Sequence, residues 1–93
     1  MKTELLPIGS VVRLKNANHD LCIIGYAVIS ENVMYDYIGF AYPEGFVSNE
    51  KNFIFNHEDI ETTKYVGEEN DDFYEAKKNI LEVLNSQRGG NNE

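Results

Sequence analysis

Leu21 to Phe46, LCIIGYAVISENVMYDYIGFAYPEGF, holds two long apolar runs divided by Ser30-Glu31-Asn32. A short polar break between runs rich in β-branched and aromatic residues predicts two adjacent antiparallel strands. In the first run both parities are apolar, with Cys22, Ile24, Tyr26 and Val28 on one side and Ile23, Gly25, Ala27 and Ile29 on the other. A strand covered on both faces belongs at the centre of a barrel or under a helix. Gly25 and Gly39 predict bulges or sharp bends within the two strands. In the second run Met34, Ile38, Phe40 and Tyr42 share one parity. Tyr35, Tyr37 and Ala41 share the other, which makes a candidate exposed aromatic surface. Pro43-Glu44-Gly45 ends the strand, because proline cannot donate to the ladder and glycine accepts the positive φ of a type II turn.

Upstream, Val11 to Lys15 alternates as a strand with Val12 and Leu14 inward, and the polar run Asn16 to Asp20 predicts a hairpin loop. Downstream, Phe53 to Asn56 reads as a short strand, His57 to Ile60 as one 3₁₀ turn, and Thr62 to Val66 as a fifth strand closed by Gly67. The period then changes. Phe73, Ala76, Ile80 and Leu84 form a helical stripe widened by Leu81 and Val83, which predicts a helix over 71–87. Asn70, Asp71 or Asp72 caps it, and Asp72 with Glu75 has the spacing of a capping box. Gly89-Gly90 is expected to stop the helix, leaving 89–93 as a disordered tail. The expected architecture is therefore a single domain over 1–88, α+β and mainly β. It is a five-stranded SH3-like antiparallel barrel, or a strongly bent sheet, with one C-terminal helix.

Composition narrows the function. Sixteen acidic against eight basic residues give a formal charge of −8, which repels nucleic acid and anionic lipid. Eight of the sixteen acids fall within 58–75, where Lys64 is the only base; such a segment is usually a solvated face, and its density also suits a basic partner surface. Cys22 is the only cysteine, which rules out an intramolecular disulfide and points to a reducing cytoplasm. No run approaches the roughly 20 apolar residues of a membrane span. The N-terminus has no signal-like apolar segment.

Three clusters could carry chemistry. His57-Glu58-Asp59 could serve as a general base or a metal site, but a second histidine at ligand spacing is missing, so a solvated turn is the expectation. His19, Asp20 and Cys22 sit close in the chain, yet alternation sends Cys22 inward as a structural thiol. Tyr35, Tyr37, Tyr42 and Phe46 form an aromatic band that is either core or a recognition surface, since tyrosine buries apolar area while keeping a hydroxyl. No metal and no cofactor is expected.

LLPIGSVVRLKN (Leu5 to Asn16), IIGYAV (Ile23 to Val28), YDYIGFAYPEGF (Tyr35 to Phe46) and FNHEDI (Phe55 to Ile60) resemble a small family of Gram-positive proteins, domain of unknown function 4176. The resemblance spans Leu5 to about Gly67, and Gly39, Tyr42, Pro43, Glu44 and Gly45 fit its central string. It implies a gene beside LXG polymorphic toxins in a type VIIb secretion locus, and it supplies no catalytic residues. The expected function is a non-enzymatic cytoplasmic adaptor or chaperone for such a toxin. Tyr35, Tyr37, Tyr42 and Phe46 are expected to provide contact area, with Glu58, Asp59, Glu61, Glu68 and Glu69 selecting a basic partner. The alternatives are an immunity protein that neutralises the toxin and, behind it, a small enzyme using His57 with a carboxylate. Pairing of sheet edges into a homodimer is open.

Overall fold

In the computed structural model, residues 3–46, 48 and 52–89 are described. The strands are β1 (Val11–Leu14), β2 (Asp20–Ser30), β3 (Val33–Tyr42), β4 (Asn52–Phe55) and β5 (Ile60–Tyr65), followed by the helix α1 (Asp71–Gly89). A 3₁₀ turn, His57–Asp59, joins β4 to β5. The spatial order is β4-β3-β2-β1-β5, and every neighbouring pair is antiparallel. The chain is thus mainly β with one helix, as expected. The sheet stays open, with β4 and β5 as its two edges.

The bend comes from β2. Its register against β3 shifts between Ile23 and Gly25, leaving Ile24 as an extra residue. Such a bulge kinks the strand and reverses the parity beyond it. Ile23 and Tyr26 consequently both face the core although they lie an odd number of positions apart. Ala27, with φ of 56°, adds a second irregularity three residues past the shift. At Gly39 the backbone of β2 comes too close for a side chain, because a Cβ there would lie 2.7 Å from the Cys22 carbonyl oxygen. The reading of Gly25 and Gly39 as bend positions agrees with this geometry.

On β3 the Tyr37 side, expected as an exposed surface, turns inward, while Met34 of the other parity also packs against the core. Tyr37, opposite Tyr26, is 0% exposed and sits in the core with Leu5, Val12, Leu21, Ile23, Phe55 and Leu84. Tyr42, expected in the aromatic recognition band, is exposed. Cys22, predicted inward, lies half-buried opposite Phe40 on the outer face. Larger apolar side chains on the Met34/Ile38/Phe40/Tyr42 parity suggested the opposite arrangement. The core instead takes Tyr37 because its hydroxyl finds partners there, which a buried phenol needs.

The helix packs on its own sheet. Leu84 is fully buried, and Ile80 and Leu81 pack against the same core beside Tyr26, Ala27 and Met34. Burying an aliphatic side chain of this size contributes about 1.5–3 kcal/mol. Ala76 and Val83, expected on the stripe, are exposed. The N-cap is Asn70, whose Oδ1 accepts the Phe73 N–H at 2.7 Å, so the Asp72 capping box is not the one used. The helix continues through Gly89, and the expected tail beyond it lies outside the described residues.

Candidate functional site

Two groups of aromatic side chains sit on opposite sides of the sheet. The inner group is a hydrogen-bonded lock. Tyr37 Oη accepts the Leu6 N–H at 3.0 Å and bonds His57 Nδ1 at 2.7 Å. Tyr26 Oη donates to the Leu6 carbonyl at 2.5 Å, so one residue of the N-terminal segment is held by both phenols. Buried Asp36 accepts the His57 N–H through Oδ2 at 2.8 Å, and its own N–H donates to Asn56 Oδ1 at 3.1 Å. Burial pushes the Tyr26 phenol up to about 12 and drives Tyr37 up as well, because the phenolate would be stranded away from water. The arrangement ties the N-terminal segment, β2, β3 and the 3₁₀ turn into one piece.

This lock absorbs most of the histidine-acid cluster. His57 is half-buried with its ring against Tyr37, Glu58 points to solvent, and the Asp59 carboxylate accepts the Asn56 N–H at 2.9 Å. Neither acid is bonded to the imidazole. Among the described residues, no group of three or more His, Cys, Asp or Glu side chains is placed to hold a metal ion. Asp36, the acid that does meet residue 57, was not singled out by the sequence, because its partner lies 21 residues away.

The outer group is open to water. Tyr42 is 49% exposed and Phe46 57%, and the Phe46 ring lies 5.1 Å from that of Phe40. Tyr65, from β5, is 62% exposed. Tyr42 and Tyr65 flank a depression of about 390 Å³ floored by Val11 and Cys22, with Asp20 and Lys64 at its side. Arg13 donates to Asp20 Oδ1 at 2.7 Å, and Lys64 lies 3.4 Å from the same oxygen. The Arg13 hydrogen bond holds the Asp20 carboxyl below the usual carboxylate range. Four strands therefore present one rigid face of rings around a pinned charge.

Of the expected recognition residues, Tyr42 and Phe46 belong to this face. Tyr37 does not: it is buried in the lock, and its contact role is withdrawn. Tyr35 is half-buried opposite Val28, roughly 20 Å along β3 from Tyr42. Phe40 and Tyr65 join the face without being among the expected residues, Phe40 through its ring contact with Phe46 and Tyr65 through the pairing of β5 with β1. Glu58, Asp59, Glu61, Glu68 and Glu69 are all exposed, running from the 3₁₀ turn along β5 to the start of α1. Glu69 accepts the Tyr74 hydroxyl at 3.1 Å, and that bond, together with the carboxylate charge, raises the Tyr74 pKa.

The model of the family described as Domain of unknown function (DUF4176) matches residues 5–84. The chain belongs to that family. No curated protein and no solved structure shows significant similarity to it. Both the inner lock and the outer face fall inside the matched span, apart from nothing that either needs: the lock begins at Leu6 and the face ends at Tyr65. The resemblance read from the sequence stopped near Gly67, whereas the family match takes in α1 as far as Leu84, the residue that anchors the helix in the core.

Proposed function

We propose that this protein of the DUF4176 family is a non-enzymatic binding protein, an adaptor or chaperone for an LXG-type toxin of a type VIIb secretion system, acting in the cytoplasm. The observation that supports the reading is the outer face, where Tyr42, Phe46 and Tyr65 stand exposed on a sheet whose opposite side is locked. Large rings held rigidly in water lose little entropy on binding, and tyrosine is enriched where protein partners meet. The exposed acids beside β5 would speed the approach of a basic surface and disfavour acidic ones. Among the described residues no helix is long and apolar enough to cross a membrane.

Coexpression with the toxin encoded next to the gene tests the proposal. The expected result is a stoichiometric complex surviving purification, and a toxin whose targeting and toxic domains both fail to bind would remove the reading. The exposed acids also suit an immunity protein covering a basic active site. Growth of cells producing the toxin separates the two, since an immunity protein restores growth and an adaptor changes export.

A further inference from the structure

The two edges of the sheet are built differently. β5 meets β1 with register shifts between Val11 and Val12 and between Arg13 and Leu14, and it carries Glu61 and Lys64. Irregular register and charged side chains are the means by which natural edge strands refuse another strand. β4 meets β3 with no shift from Asn52 to Phe55 and has no charged side chain. Phe53 on this edge is 42% exposed. Beside it the inner face of the sheet leaves a cavity of about 450 Å³ between Leu14, Leu21, Ala41 and Phe53, at the end away from the helix. Glu44 stands on the cavity rim, 3.8 Å from His19, and exposed Glu58 comes three residues after the strand, on the turn that leads away to β5.

We propose that β4 receives an extended segment of the partner as a sixth strand, with an apolar side chain in the Leu14/Leu21/Ala41/Phe53 cavity and basic residues facing Glu44 and Glu58. Backbone pairing along such an edge supplies affinity, and pockets for alternate side chains supply selectivity. Charge chooses the occupant: a second copy would bring a formal −8 to a chain of the same charge with Glu44 on the cavity rim, whereas a basic strand complements it. The inference rests on the binding role proposed above and adds to the outer face a second contact, at the β4 edge.

The test uses the full chain and a synthetic peptide of alternating valine and threonine bracketed by lysine pairs. Two further versions carry backbone N-methyl groups on the valines only or on the threonines only. Amide hydrogens within 52–55 are expected to gain protection from exchange when the parent peptide is added. One methylated version should bind like the parent and the other should fail, since an added strand pairs through only one of its own edges. Replacing the lysines by glutamates should weaken binding at least about tenfold. Unchanged protection of 52–55, or equal binding of both methylated peptides, overturns the proposal. Concentration-dependent protection of 52–55 without peptide also overturns it, by giving the edge to a second copy. A chain that holds the toxin but refuses the peptide keeps its binding role and loses this mode; one that takes the peptide but not the toxin does the reverse.

Discussion

Tyr26 and Tyr37 on one side of the sheet, and Tyr42 and Tyr65 on the other, put the same side chain to opposite uses. Inside, each hydroxyl reaches Leu6, and Tyr37 reaches His57 as well, so the rings are structural and their polar ends are satisfied within the protein. Outside, the rings flank an open depression and leave much of their surface in water. Tyr37 and Tyr42 lie five positions apart on β3 and alternate to opposite faces, while the bulge at Ile24 turns Tyr26 to the side of Tyr37. A tyrosine count therefore says little about a binding surface until the register is known.

The comparison breaks first if the inner side is not what holds the molecule together. Leu84→Ala, at the contact between α1 and the core, is expected to cost about 2–5 kcal/mol in chemical denaturation, because it leaves a cavity under a fully buried residue. A cost below about 1 kcal/mol would mean that the helix is not docked as described. Tyr37→Phe is expected to cost about 1–3 kcal/mol, since it orphans the Leu6 N–H and the His57 imidazole in a buried place. Tyr42→Phe, measured alongside, should fall within about 0.5 kcal/mol of the parent.

Alkaline titration sharpens the same contrast. The folded-state pKa values of Tyr26 and Tyr37 are raised, so the folded chain keeps phenolic protons that the unfolded chain sheds from its ordinary value near 10. Stability from these groups is complete below about pH 10 and falls as pH rises toward 12, by about 1.4 kcal/mol per pH unit for each phenol still protonated. Urea midpoints across this range should fall less steeply in Tyr37→Phe than in the parent. Equal slopes would contradict the burial of that hydroxyl.

Much of the fold was legible. Alternation, the polar breaks and the change of period after Gly67 located five strands and a helix, and Gly25 marked the bulge in β2. The facing of β3 was not legible. The groups that satisfy Tyr37 lie 31 and 20 residues away, at Leu6 and His57. Open closure of the sheet was likewise beyond local pattern, since it depends on how far β2 bends. For the site, the Pro-Glu-Gly turn points to Tyr42 and Phe46, and both are exposed. Tyr65 joins them only because β5 crosses to pair with β1, a contact made over more than fifty positions.

The smallest expected effect on stability belongs to the outer face and carries the largest effect on binding. Tyr42→Ala with Tyr65→Ala should leave the denaturation midpoint within about 0.5 kcal/mol per site. The decisive measurement is the affinity of the coexpressed toxin for three chains, the parent, the folded Tyr42→Ala/Tyr65→Ala variant and Tyr37→Phe, under one buffer. The account predicts a loss of roughly 30-fold or more for the outer double variant, the equivalent of about 2 kcal/mol, and nearly parental affinity for Tyr37→Phe. Parental affinity in the double variant, with the loss appearing in Tyr37→Phe instead, would contradict it.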